Sequence, residues 1–330
     1  MILTIPKPQP TEHATSILAR LLRLNGLKDL RHLPDFDFEM KSTRGVALAR
    51  LLGLSPQDFV RQHTIIPFRC AVHLPREQQP SSAAHREFSD DLSNLFSIRP
   101  RPPFYCSRCR QEDLEWHGFS FWRTTHQIPG VTRCQKHEFP LTAADVDPML
   151  VLPEEIRLSR IKYQSIDLAA EAGYSRETEY VELAVDLLDL KRPILHSVLI
   201  SRLQSRAKNF GFTLNSTRGF KHLEINRHFD QFARDRLYSP RRKSIMYPGV
   251  YCRYFWRPEN LSKSMLNALL GTHYGIVATC LLALALSENG DEAAKLFRAP
   301  SPETTLINSC ESLSSNSDNA LSRIRQRVEQ

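Results

Sequence analysis

Four side chains in two short pairs are the residues of this sequence best placed to do chemistry. They are Cys106 and Cys109 in YCSRC and Cys134 and His137 in RCQKH. Two residues intervene within each pair, which turns both donors to one side of a tight loop. Brought together, three thiolates and an imidazole make a tetrahedral Cys3His set, the donor set of zinc. Soft sulphur ligands favour zinc over magnesium or calcium. Four protein donors leave no open position, so one Zn2+ with a structural role is expected. Three thiolates on a divalent ion leave a formal charge of −1, and Arg108, Arg110, Arg133 and Lys136 stand beside the ligands to offset it. His117 and His126 lie between the pairs and are alternative donors, but neither belongs to a two-residue turn. The interval is longer than in a compact zinc finger, and FSFWRTTHQIPGVTRC has room for a hairpin about its Pro-Gly turn. A segment this short buries little apolar surface, so the metal is expected to contribute the missing folding free energy.

The elements that must position this clamp are mostly helical. Ile17, Leu18, Leu21 and Leu22 line one face of a first helix that Gly26 can end. Val46, Leu48, Ala49, Leu51 and Leu52 mark a second helix, broken at Gly53. Ser55, Pro56 and Asp58 then read as cap, first helical residue and capping box of a third. Helix, short turn, helix is the helix-turn-helix order. It turns Gln57, Asp58, Arg61, Gln62 and His63 outward, and Gln57 and Arg61 are candidates to meet DNA. Beyond the clamp, Tyr180, Leu183, Ala184, Leu187 and Leu188 repeat with helical spacing. Leu199, Leu203 and Ala207 predict another helix ending at Gly211, and Ile225, Phe229, Phe232 and Ala233 a third. The run at 276–286 falls short of the ~20 residues of a membrane helix and reads as a buried core helix. The fold class expected is therefore mainly α with a small zinc-bound β-hairpin module, an N-terminal helix-turn-helix and a helical C-terminal region. The expected domains are 1–100 (helix-turn-helix and Pro-rich linker), 101–150 (zinc module), 151–300 (helical and basic) and 301–330 (a mobile Ser/Asn-rich tail).

Charge points to a polyanionic partner. The 330 residues carry +8 overall. Between 191 and 243 stand thirteen Lys and Arg against Glu224, Asp230 and Asp235, so 13 − 3 = +10 exceeds the charge of the whole chain. From this stretch Arg202, Arg206, Lys208, Arg218, Lys221, Arg227, Arg234, Arg241, Arg242 and Lys243 are the candidate phosphate contacts. The two helices predicted at 199–207 and 225–233 could form a second helix-turn-helix. Tyr247, Tyr251, Tyr254, Phe255 and Trp256 alternate with Arg253 and Arg257, which suits a core strand better than a base-stacking surface. Of the remaining cysteines, Cys280 reads as an inert buried thiol, while Cys252 and Cys310 have no evident partner. No Gly-rich phosphate loop, His-Glu-x-x-His or nucleophile elbow occurs, so no enzyme is expected. No signal peptide is evident either, and a cytoplasmic, bacterial protein without membrane contact is expected.

The run YCSRCRQEDLEWHGFSFWRTTHQIPGVTRCQKHEFPL resembles the zinc motif of the TniQ/TnsD family, the target-selection proteins of Tn7-like and CRISPR-associated transposons. Cys106, Cys109, Cys134 and His137 match its ligands, and Trp122, Gly130 and Leu141 match the pattern around them. PTEHATSILARLLRLNG and LARLLGLSPQDF resemble its opening helix-turn-helix, so that the likeness covers about the first 145 residues. The resemblance implies a non-catalytic adaptor. It would bind a DNA target site or a Cascade-type CRISPR effector with its guide RNA, and recruit an AAA+ ATPase regulator of TnsC/TniB type. Some relatives are homodimers, which leaves a homodimer open here. Many relatives carry a second cysteine cluster. This sequence has no cysteine between Cys134 and Cys252, so a second zinc is not expected. The alternative is a free-standing zinc-containing helix-turn-helix transcription regulator, which would need no ATPase.

Overall fold

A computed structural model describes residues 3–28, 44–73, 102–148, 150–157, 161–164, 175–212, 222–232, 258–270 and 275–298. The protein is mainly helical. Residues 1–296 form one compact unit, and of a second, 297–330, only Phe297 and Arg298 are described. The aromatic stretch at 247–256, the linker and the tail lie outside the described residues.

The N-terminal layer comprises α1 (Ala14–Leu24), α2 (Arg44–Leu51), α3 (Pro56–His63) and the single turn α4 (Ile66–Arg69). Ile17, Leu18, Leu21 and Leu22 of α1 meet Leu48, Ala49, Phe59, Val60 and Ile66 in one core. Helix α2 ends at Gly53, whose φ of +69° is a conformation that favours glycine. The turn then delivers Ser55 as the cap of α3: its Oγ accepts the Asp58 N–H at 3.1 Å and donates to Asp58 Oδ2 at 2.6 Å. Helix α1 is buried on more than the face its apolar spacing marks. Ala14, Thr15, Ser16, Ala19 and Arg20 are buried as well; the cysteine module meets Ser16 through Trp122 and Arg20 through Phe119.

That module begins with β2 (Phe104–Tyr105), continues into α5 (Ser107–His117) and a 3-10 turn at Thr124–Gln127, and closes with β3 (Thr142–Ala144). Strand β3 pairs antiparallel with β2 and with β4 (Ile161–Gln164). A second, two-stranded parallel pairing joins β1 (Val72–His73) to β5 (Ile194–Leu195). The C-terminal helices are α6 (Ser175–Leu188), α7 (His196–Asn209), α8 (His222–Phe232), α9 (Pro258–Leu269), α10 (Ile276–Ala285) and α11 (Gly290–Phe297). Residues 278–285 of α10 are all buried, as a helix that is apolar all round requires. Helices α6, α8 and α9 pack against it. Helices α7 and α8 form as expected, but their connection at 213–221 lies outside the described residues. No helix among the described residues is long and apolar enough to cross a membrane.

Candidate metal centre

Each half of the cysteine cluster is a backbone turn that its local sequence dictates. In the first half Cys106 is the N-cap of α5 and Cys109 sits in its first turn, where the positive end of the helix favours thiolate. The second half is a tight hairpin over residues 132–141. Cys134 N–H donates to Phe139 O and Leu141 N–H to Thr132 O, both at 2.8 Å, with Arg133 opposite Pro140. Glu138 takes up a φ of +53° to close the turn, and its N–H donates to Cys134 O. The hairpin expected about Ile128-Pro129-Gly130 is thus displaced onto the second ligand pair, while residues 119–131 form a loop containing the 3-10 turn.

The ligand atoms of Cys106, Cys109, Cys134 and His137 lie within 4.8 Å of one another. His137 Nδ1 stands 3.6 Å, 3.3 Å and 3.6 Å from the sulphurs of Cys106, Cys109 and Cys134. Cys109 Sγ and Cys134 Sγ are 3.5 Å apart, and none of the three is in a disulfide. Bond lengths of about 2.3 Å to sulphur and 2.0 Å to nitrogen give a tetrahedron with edges of roughly 3.5–3.8 Å. The separations found match those edges closely, and the soft donor set suits a zinc ion. These four side chains could therefore hold a metal ion. The crowded sulphurs titrate unequally: hydrogen bonds from Cys109 and Cys134 push Cys106 toward thiolate.

The other nitrogen of His137 is fixed by an acid. His137 Nε2 lies 2.9 Å from Glu112 Oε1, and Lys136 Nζ donates to Glu112 Oε2 at 2.6 Å. A carboxylate on the far imidazole nitrogen leaves Nδ1 free to coordinate and makes it a better donor. Sequence reading missed Glu112, although an acid one helical turn beyond Cys109 is a usable signal. The four basic residues beside the ligands are bound to other groups. Arg108 lies over the Phe139 ring, Arg110 donates to Glu154 O, Arg133 to Glu138 O, and Lys136 to Glu112. Neither spare histidine joins the cluster. His117 stacks with Phe119 and Phe121, and His126 is buried with its pKa lowered to about 3 by loss of solvent.

The module is tied into the fold on three sides. Trp122, fully buried, accepts the His13 N–H at 2.7 Å, donates its own N–H to Ser16 Oγ, and sends Nε1–H to Val151 O at 2.9 Å. Arg20 reaches from α1 to the buried Glu12 at 2.7 Å and lies 3.9 Å from the Phe119 ring centroid. Arg123 pairs with Asp113, whose pKa burial still raises to about 6. On the other side Tyr180 of α6 donates to Pro129 O at 2.6 Å, and Thr132 donates to Glu177. Gly130 fits beneath Tyr180 because it has no side chain: a Cβ there would stand 2.7 Å from Tyr180 Oη.

The predicted nucleic-acid contacts are distributed unevenly. Gln57 and Arg61 are exposed on α3, with Asp58 and Gln62. His63, expected to face outward, is instead buried, with Nδ1 2.8 Å from Glu12 O; it seals α3 against the start of α1. Lys208 and Arg227 are exposed. Arg202 donates to Leu296 O, and Arg206 to Leu286 O and Glu292, so both are engaged at helix ends within the C-terminal region. Arg218, Lys221, Arg234, Arg241, Arg242 and Lys243 lie outside the described residues.

No curated protein matches the chain. The family model named TniQ matches residues 3–141, an interval that runs from the segment preceding α1 through both ligand pairs to Leu141, which closes the hairpin of the second pair. The chain carries a TniQ domain over these residues, which supports the resemblance to the TniQ/TnsD family.

Proposed function

We propose that the chain is a target-selection adaptor of a transposition system, built to bind and not to react. A TniQ domain implies a transposition-associated target-selection role. The observation that carries the reading is that four donors able to hold a metal ion converge inside the matched residues. In this reading Cys106, Cys109, Cys134 and His137 hold one Zn2+, which when bound supplies a cross-link between the two knuckles. The knuckles so fixed keep Trp122, Phe119 and Phe121 in place against α1, and the module becomes a rigid docking surface. One surface of the adaptor engages target DNA or a Cascade-type effector with its guide RNA. Another recruits an AAA+ ATPase regulator of TnsC/TniB type. Exposed Gln57 and Arg61 on α3 suit DNA contact, as does the basic region with Lys208 and Arg227.

Two measurements test this. Protein purified without chelator should contain about one zinc per chain, and Cys109→Ser should lose it and open residues 104–140 to amide exchange. The wild-type chain should also retain an AAA+ regulator encoded beside it in a pull-down, and the variant should not. A metal-free wild type with unchanged protection, or no retention of any such ATPase, would refute the adaptor reading.

A further inference from the structure

We infer a stacking site for an unpaired nucleobase at the C-terminal end of α7, centred on Phe210. It rests on the reading of the basic region as nucleic-acid-facing, and adds where the strand is held and in what form.

Phe210 follows the last residue of α7 and is 41% exposed. The helix end does not need it there. Phe212 N–H donates to Ala207 O and Gly211 N–H to Lys208 O, which closes the turn. Phe212 also makes the closer contact with His228, at 5.3 Å between ring centroids, against 6.2 Å for Phe210. What lies behind Phe210 is fixed. Arg206, 5.6 Å from its ring centroid, is anchored on Leu286 O and Glu292. His228 is held through Nε2 at 2.8 Å from Ala285 O. The ring is thus backed by anchored side chains while much of its surface meets solvent. Such preorganisation lowers the ordering cost of binding.

Charge decides what the ring receives. Lys208 lies two residues before it and Arg227 beside His228, both exposed, in a stretch whose net charge of 13 − 3 = +10 exceeds that of the chain. Exposed cations close in sequence to an exposed ring and to the histidine behind it suit a phosphodiester chain carrying bases, the combination by which single strands are bound. Bases inside a duplex already stack on one another and cannot use the ring. The occupant is therefore single-stranded DNA or RNA, or an unpaired stretch of either.

Fluorescence anisotropy of the full chain against labelled oligo(dT), oligo(U) and a duplex, each of about 20 nucleotides, tests this. Phe210→Ala should weaken single-strand binding roughly 5- to 150-fold, the worth of one stacked base, and leave duplex binding unchanged. Phe210→Tyr should retain it. Lys208→Gln should reduce the salt slope on single strands by about 0.7. Phe210→Trp keeps an aromatic ring and provides an indole whose emission single strands should quench, so the idea stays testable should the alanine variant misfold. The DNA and RNA arms tell which strand is preferred. No loss in Phe210→Ala, an equal loss on duplex, or an unquenched indole overturns the stacking site while the basic region still binds. Failure of every oligonucleotide to bind overturns both it and the reading beneath it.

Discussion

Replacing Gly130 by alanine should destabilise the protein by roughly 2–3 kcal/mol, through two separable effects. Gly130 has a φ of +92°, and left-handed backbone costs an L-residue roughly 1–2 kcal/mol. The new methyl would also stand 2.7 Å from Tyr180 Oη and 2.9 Å from Cε1 and Cζ. Those atoms belong to a rigid ring that is 2% exposed, so they cannot swing aside as a flexible chain end would. Tyr180 must move, and with it goes the 2.6 Å hydrogen bond to Pro129 O, worth about 1 kcal/mol. Equilibrium urea unfolding of the metal-loaded protein measures the sum. Tyr180→Phe should remove only the hydrogen-bond part, about 1 kcal/mol. In a Tyr180→Ala background the steric part vanishes, and Gly130→Ala should then cost only its backbone share of roughly 1–2 kcal/mol. An equal cost for Gly130→Ala in both backgrounds would refute the close approach of α6 to this loop.

Glu112→Gln should weaken metal binding about 10- to 100-fold without removing a ligand, because it takes the carboxylate from the far side of His137; chelator competition measures the constant, and an unchanged value refutes the role. His13 gives a pH test. Burial, the largest cause, and then His63 and Arg69 lower its pKa from 6.5 to about 4. A histidine whose folded pKa is lowered contributes stability that is present above pH 6.5 and is lost as pH falls toward 4. At about 1.4 kcal/mol per unit, stability should drop by roughly 2 kcal/mol between pH 7 and pH 5 from this group. His13→Asn keeps a capping side chain and should remove that portion of the slope; parallel unfolding curves for the two proteins at both pH values would show that His13 is not the source.

What could be read from the sequence was local. A two-residue gap between donors needs only one turn to bring them together, so the four candidate ligands stand out before any fold is known. The helices with long apolar repeats, α1, α6 and α7, follow from spacing alone. The misreadings share a different origin. His63 looks like the end of a polar face, but the start of α1 closes over it, and nothing within α3 announces a neighbour from fifty residues away. The polar side of α1 is buried for the same reason: Ser16 and Arg20 meet Trp122 and Phe119, partners about a hundred residues distant. Arg202 and Arg206 count as surface charge in a sum, yet backbone carbonyls at helix ends take their hydrogen bonds. Pro129-Gly130 reads as a β-turn in the sequence, but the chain does not form its hairpin there. Gly130 instead admits Tyr180, and the reversal falls where Glu138 accepts left-handed backbone.

These long-range ties change what a metal ion held by the four donors would do for the protein. A free zinc finger folds or unfolds alone, since the ion is nearly its entire core. Here the module shares burial with its neighbours: Trp122 is held by His13 and Ser16, Pro129 and Thr132 by α6, and Arg110 and Ser120 by the turn at Pro153–Glu155. A cross-link at Cys106, Cys109, Cys134 and His137 therefore restrains the surfaces of α1 and α6 as well as its own loop. The linkage runs both ways. Gly130 lies outside the ligand set, but a substitution there that displaces Tyr180 also loosens the loop leading into Cys134, and so should weaken metal retention. A change at the donors should in turn relax the packing of α1, whose neighbour α3 carries Gln57 and Arg61. The exposed side chains of α3 and the four-donor cluster would then answer to one stability.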